Sequence, residues 1–419
     1  MPATRRFAAL LVLCALVLLS ALAHAAPAPP VSRAARDTPA APAASQMPPA
    51  HAVAPRIGII TMEPGEQFWE RFGHDAILVE EPTSGRALSY NFGFFDMSEP
   101  GFVGNFIRGY MRYYLVALPA DEDLSSYRDE GRGVSVQWLD LDAEQARRLA
   151  QALAINARPE NARYRYLYYT DNCATRVRDA LDRALDGQLK KQLVGRSQGN
   201  TYRSESVRLA WPAKWMAFGF HLGMSGYGDR PLSRWEEAFI PMRLRDSLRE
   251  IKRADGRPLV ASEQILLPHR LSLPPAEMPR WRVPALFIGL ALGLLISWSG
   301  TRSPRVLAAL ALPFWLLAAL TGSVMLYLWI GTDHVAGHGN ENILLFSPLC
   351  LLLLPGAWRL LRGRDGGCHF RILLWLVAAS AAFAGFLKFL PFRPQQNVEW
   401  VVLLLPIHLA LARVFAPKR

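Results

Sequence analysis

The sequence predicts two joined architectures: an α+β domain carried outside the membrane and, after it, an all-α domain of about five membrane-crossing helices. Three observations carry the prediction. The chain begins with an apolar leader, its middle reads as short strands followed by amphipathic helices, and everything beyond Pro284 is dominated by long uncharged runs. A mean hydropathy of +0.10 over 419 residues agrees, because that is high for a purely soluble chain. It also excludes a disordered protein, which needs low hydrophobicity. Four cysteines are too few for a disulfide scaffold.

The net charge of +12 invites a nucleic-acid reading, and its distribution removes it. Residues 57–280 hold 30 Lys+Arg and 30 Asp+Glu. Residues 281–419 hold 12 against 4, and residues 1–56 hold 5 against 1. The basic excess lies beside apolar segments, where topology signals lie, and no nucleic-acid partner is expected.

Arg5 and Arg6 precede an apolar run, and Ala23-His24-Ala25 then offers a small-x-small cleavage site. Residues 1–25 read as a signal peptide cut before Ala26; the alternative is an uncleaved anchor. Leu13 is too large for a lipoprotein cleavage site before Cys14. Residues 26–55 are an Ala/Pro-rich linker with no core-forming pattern. The exported domain is expected over 56–280 and the membrane domain over 281–419.

Within the membrane domain, residues 286–298, 306–330, 343–358, 372–390 and 401–415 are almost free of charge. With their flanks, most can cross ~30 Å of hydrocarbon as helices. The third run is short and carries Pro348 and Pro355, so a tilt, a kink or a re-entrant path is expected. If the leader exports residues 56–280, nine Lys/Arg fall on the cytoplasmic side and three (Arg282, Lys388, Arg393) on the other. That bias agrees with the positive-inside rule and, with the leader, puts residues 57–280 outside the inner membrane.

In the exported domain, Arg56 to Thr61 and Asp75 to Glu80 are strand-type runs, and Pro82 to Gly85 is a turn that returns Ala87 to Phe92 as a hairpin partner. Asp142 can N-cap a helix, with Gln145 completing a capping box and Ala146, Leu149, Ala150 and Leu153 on one face. A second helix begins at Asp171-Asn172 and carries Val177, Leu181, Ala184 and Leu185 on one side. A strand-rich beginning followed by helices is α+β. From Ser204 onward the pattern is weak; Trp211, Trp215, Phe218 and Phe220 either pack or lie near the membrane interface.

Cys14 goes with the leader, Cys350 falls in the third span and Cys368 in a predicted cytoplasmic loop, so Cys173 is the one cysteine of the exported domain. A lone thiol in an oxidising compartment is either buried in a core or needed for chemistry. Asp171 or Asn172 as N-cap puts Cys173 in a first helical turn, where free N–H groups and the helix dipole favour a thiolate, with Arg176 adding positive charge. A nucleophilic cysteine needs a base. His74, at a strand start after Gly73, is the candidate among the histidines. Asn91, expected opposite it across the hairpin, would orient the ring, with Asp96 and Tyr90 as other choices.

Several ordered motifs are present: Thr61-Met62-x-Pro64-Gly65, Phe72-Gly73-His74-Asp75-Ala76, Tyr90-Asn91-Phe92-Gly93-x-Phe95-Asp96, Glu130-Gly131-Arg132, Asp171-Asn172-Cys173-Ala174-Thr175-Arg176 and Phe239-Ile240-Pro241. Together they resemble the N-terminal periplasmic domain of the Lnb-type bacterial lipoprotein N-acyltransferases. Asp333-His334 followed by Asn340-Glu341-Asn342 is similar to a loop between membrane helices of that family. More distantly, an early His followed by a later Asn-Cys resembles the permuted papain-like (NlpC-like) fold of lecithin–retinol acyltransferases, although those have a second His where this chain has Asn91.

The resemblance implies a thiol acyltransferase with Cys173 as acyl carrier and His74 as base. The acyl donor would be a membrane phospholipid, and the acceptor the N-terminal amine of a diacylglyceryl-cysteine lipoprotein. Arg132, Arg176, Tyr127 and Asn172 are the substrate-binding candidates, with surface salt bridges the alternative for the arginines. His334 and His338 are four apart, but their glycine-rich segment does not read as helical, and no metal is assigned. No P-loop, dinucleotide fingerprint or zinc-finger spacing occurs, so no cofactor is expected. Two rival readings remain: a Cys–His peptidase or amidase of the cell envelope, which would not need five spans, and a non-catalytic envelope sensor, which would tolerate Cys173→Ala.

Overall fold

The computed structural model describes residues 53–416. The leader, and the linker except for its last three residues, lie outside the described residues. Seven strands form one antiparallel sheet: β1 (Arg56–Met62), β2 (His74–Glu80), β3 (Ala87–Phe94), β4 (Met111–Pro119), β5 (Val134–Leu139), β6 (Arg163–Tyr166) and β7 (Val260–Leu267). Their order is β6-β4-β3-β2-β1-β5-β7. β1 is buried along all but its first residue because strands flank it on both sides and helices cover both faces, which is why it reads as an unbroken apolar run.

Seven helices of the exported domain matter below: α1 (Phe102–Arg108), α2 (Ala120–Asp129), α3 (Ala143–Asn156), α4 (Cys173–Ala184), α5 (Tyr202–Ala210), α6 (Lys214–Gly223) and α7 (Pro241–Leu248). On one face of the sheet, Ile57, Ile59, Ile77, Tyr90 and Phe92 pack against α3 and α4. On the other, Ile60, Met62, Ala76, Leu78, Val134 and Val136 pack under Leu124 and Tyr127 of α2. The capping box of α3 forms as its sequence requires, with Gln145 N donating to Asp142 Oδ1 at 2.8 Å and Asp142 N to Gln145 Oε1 at 3.2 Å. The strands do not stop where the helices begin. β6 and β7 follow helical segments in the chain, and β7 returns to pair with β5, so the sheet is wider than a strand-rich beginning implies.

The membrane domain contains α8 (Arg282–Arg302), α9 (Pro304–Gly331), α10 (Leu354–Leu361), α11 (Cys368–Phe386) and α12 (Val398–Phe415). Among the described residues, five segments are long and apolar enough to cross a membrane. α8 lies along α12 through Gly289 and Gly293, where a β-carbon would meet the backbone of Val402, Leu403 and Pro406. Small residues four apart let two membrane helices approach this closely.

The third span, Glu341–Leu361, is broken, as its prolines suggest. Two 3-10 stretches, Glu341–Leu344 and Pro348–Leu353, precede α10. A broken backbone at membrane depth must find partners for its freed carbonyls. Ser380 Oγ donates to Leu344 O and His408 Nε2 to Leu345 O, both at 2.9 Å. Phe346 O presses on Gly322 of α9, where no side chain fits.

The two domains meet through polar side chains aimed at helix ends. The last carbonyls of α6 have no partner inside the helix. Asn340 Nδ2 donates to Leu222 O and Gly223 O at 2.9 Å, and Asn342 Nδ2 to Leu222 O at 2.8 Å. Gln396 N reaches Asp229 Oδ2 at 3.0 Å, and Trp400 Nε1 donates to His221 Nδ1 at 3.0 Å. Phe218 meets Trp281 and Trp400 edge-on, so this weakly patterned stretch is an interface segment.

Candidate active site

α4 begins at Cys173 because Asn172 caps it: Thr175 N donates to Asn172 Oδ1 at 2.9 Å, and Asn172 N to Thr175 Oγ1 at 2.7 Å. Asn172 Nδ2 is also spent, on Tyr168 O and Phe239 O at 2.9 and 2.8 Å. With both its amide groups engaged, Asn172 fixes the start of α4.

Cys173 stands at the end of β2 and β3 that carries His74. Gly93 of β3 lies against it, so that a β-carbon there would be 3.6 Å from the Cys173 β-carbon. Gly73 delivers His74 to this end of the sheet. It has a φ of +75°, and a β-carbon there would stand 2.8 Å from Met62 O, so only glycine fits.

His74 and Asn91 share one face of the sheet. Asn91 is in register with Ala76 rather than with His74, so the two are diagonal neighbours, still within reach. His74 Nε2 lies 2.9 Å from Asn91 Oδ1. Asn91 Nδ2 donates to Asp123 Oδ2 and Ser89 Oγ, each at 3.0 Å, which fixes the amide orientation. Nε2 of His74 must then carry the proton, and Nδ1 keeps the lone pair. Of the other choices, Tyr90 packs on the opposite face, and Asp96 Oδ1 accepts from Ser98.

Asp123 was hidden in the sequence. It is one of three acids in the first turn of α2, where acids are common for the helix dipole alone. Only its burial, to 7 % exposed, separates it from Asp121 and Glu122.

Burial, rather than the helix start, dominates the electrostatics. It pushes the Cys173 thiol up to about 12, and the nearby Asp75 carboxyl adds to the rise. Backbone N–H groups of Asp75, Ala174 and Cys173 pull the other way without offsetting it. Burial thus works against the resting thiolate that the helix start alone would favour. Burial also lowers His74 below the usual histidine value, with Arg132 adding to this, while Asp123 and the Asn91 hydrogen bond oppose it. Burial thus favours the neutral form of both the thiol and the imidazole.

Arg176 is engaged within the domain. Its guanidinium holds Asp171 with two hydrogen bonds, Nη2 to Oδ2 at 2.8 Å, and lies 3.8 Å over the Tyr164 ring. Arg132 differs. It is 4 % exposed, donates through Nε to Glu63 O at 2.9 Å and through Nη1 to Glu130 Oε2 at 3.2 Å, and lies 4.7 Å over the Tyr127 ring. Its Nη2 is buried without a partner. His334 Nε2 and His338 Nε2 are each given to a backbone carbonyl, Phe106 O and Thr332 O, at 3.0 Å.

Fold and site define a membrane protein whose sheet-and-helix domain presents a cysteine at a helix start and, at the same end of the sheet, a histidine held on a strand. Residues 51–208 match the family model of the Lnb N-terminal periplasmic domain, and residues 281–418 match that of the Lnb transmembrane domain. The chain therefore belongs to the Lnb family and is a membrane protein with a periplasmic N-terminal domain. Comparison with curated proteins and with solved structures gives no match.

Proposed function

We propose that this protein is a cysteine-dependent lipoprotein N-acyltransferase of the inner membrane, built on a permuted papain-like domain. The observation that carries the reading is the site itself: a thiol at a helix start and, at the same end of the sheet, a histidine whose Nε2–H is held by Asn91 and whose Nδ1 is left to act as base.

His74 Nδ1 takes the Cys173 proton as the sulfur attacks the acyl ester of a phospholipid. The ester C–O bond breaks, the proton passes to the departing lysophospholipid oxygen, and a thioester remains on Cys173. The α-amine of a diacylglyceryl-cysteine then attacks the thioester carbon. Its proton goes to His74 and on to the leaving sulfur, restoring the neutral pair. The N–H groups of Cys173 and Asp75 are suited to the oxyanion in both steps. The unpaired Nη2 of Arg132, backed by Tyr127, is suited to the donor phosphate. The buried neutral thiol fits an enzyme that ionises its nucleophile only with substrate in place.

The test is intact-mass analysis of purified enzyme given phospholipid without an amine acceptor. A fatty-acyl adduct removed by neutral hydroxylamine is expected for the unaltered chain and none for Cys173→Ala. Mass spectrometry of lipoprotein N-termini with and without the protein reads the second half-reaction. Full transfer by Cys173→Ala would refute covalent catalysis.

A further inference from the structure

We infer that an aromatic surface on the periplasmic domain lies in the outer face of the bilayer and leads the acyl chains of the lipid donor to Cys173. This rests on the acyl-transfer reading and adds the route by which the substrate arrives.

The surface is apolar and open. Trp69 is 45 % exposed, Val103 on α1 56 % and Trp215 on α6 58 %. Isolated exposed apolar residues need no explanation, but Trp69 heads a file of ring contacts that includes Phe102, the chain neighbour of Val103. Trp69 meets Phe95 edge-on at 6.3 Å, and Phe95 stacks on Phe102 of α1 at 5.7 Å and on Tyr113 at 5.0 Å. Tyr113 lies 4.5 Å from Tyr166. A β-carbon on Gly93 would be 3.4 Å from the Tyr166 ring and 3.6 Å from the Cys173 β-carbon. An unbroken file of rings therefore runs from solvent to the thiol.

Both edges of this surface are tied to the outer ends of membrane helices. At one edge, Arg108 O and Phe106 O of α1 accept from Asp333 N at 2.8 Å and His334 Nε2 at 3.0 Å, in the loop that follows α9. Tyr168 stacks on His334 there, at 6.3 Å. At the other edge, Trp215 stacks on Phe68 at 6.5 Å. Three residues further along α6, Phe218 meets Trp281, which precedes α8. A surface held between two such points faces the bilayer. Tryptophan and tyrosine rings suit that interface, and a file of rings without charge suits an acyl chain.

A nitroxide label tests the placement independently of catalysis. The full chain with Cys14→Ser, Cys173→Ser and Cys368→Ser carries Val103→Cys, and Cys350 is buried. In vesicles of phosphatidylethanolamine and phosphatidylglycerol, the label at Val103 should be more accessible to oxygen than to a water-soluble nickel chelate. A label at Asp255→Cys, in an exposed charged turn, should show the reverse. Nickel accessibility at Val103 equal to that at Asp255 would overturn the inference. In the otherwise unaltered chain, Val103→Asp should slow acyl-enzyme formation from vesicle phospholipid about tenfold, the equivalent of ~1.4 kcal/mol; an unchanged rate would also overturn it. A lipid-buried label at Val103, together with no acyl adduct on the unlabelled chain that keeps Cys173, would instead uphold the bilayer contact and remove the acyl-transfer reading.

Discussion

His74 Nε2 donates to Asn91 Oδ1 at 2.9 Å, and Asn91 Nδ2 donates to the buried carboxylate of Asp123 at 3.0 Å. The relay holds the ring in one tautomer, and in the proposed reaction it stabilises the imidazolium formed on deprotonating the thiol. Burial places His74 below the usual histidine value, so the imidazole is protonated, and idle as a base, only on the acid side of about 6.5. Acyl-enzyme formation should therefore fall as pH drops through that lowered pKa. Asp123 raises the His74 pKa, so Asp123→Asn should move the acid limb to still lower pH. Asn91→Ala should cost about 10²-fold in rate, because it frees the ring. The pH–rate profile decides: a purely structural Asp123 would change the amplitude and leave the limb in place.

Asp75 carries a second, thermodynamic prediction. It is fully buried, accepts from Thr61 Oγ1 at 2.8 Å, and its Oδ2 has no partner. Burial raises its pKa to about 7. Since the folded pKa lies above the unfolded one, its contribution to stability is complete below about pH 4 and is lost as pH rises through about 7. Asp75→Asn has no charge to bury. Its melting temperature relative to the unaltered chain should improve between pH 5 and pH 8, whatever its absolute value. A difference that does not change with pH would remove the assignment.

Arg203 and Asp229 form a wholly buried ion pair, Nε to Oδ1 and Nη2 to Oδ2 both at 2.7 Å. Arg203 Nη2 also serves Met224 O at 2.9 Å, and Asp229 receives Gln396 N from the membrane domain. Removing one partner leaves the other charge buried. Arg203→Ala should destabilise the protein by about 3–5 kcal/mol. Thermal unfolding in detergent reads this, and a loss under about 1 kcal/mol would show that Asp229 finds another partner.

The loop after α9 touches the periplasmic domain, with Asp333 Oδ2 2.7 Å from Arg165 Nη2. Reporter fusions after Gly331 and after Arg364 should then report opposite sides of the membrane, the first periplasmic. A cytoplasmic signal at Gly331 would contradict the contact.

Local signals in the sequence were legible because each is made within a few residues. The capping box at Asp142, the N-cap at Asp171 or Asn172, the β2–β3 turn, the five apolar runs and the two prolines of the third span all act over one or two turns of chain. So does the pairing of His74 with Asn91, since a hairpin fixes its own register to within a residue pair. β7 gave no signal: most of it is exposed at a sheet edge, and it is a strand only because β5 offers it hydrogen bonds.

The sequence alone determined the two architectures, the side of the membrane, the start of α4 and the nomination of Cys173 and His74. These depend on period, composition and nearest neighbours, which the order of residues states directly. Tertiary structure decided what surrounds them. It selected Asp123 from three adjacent acids, committed Arg176 to Asp171, left Arg132 Nη2 unpaired and kept the thiol neutral. Each of these depends on which groups from distant parts of the chain share a buried space. Burial sets the energy of a charge more strongly than the helix end beside it, and burial is not a property of any short stretch of sequence.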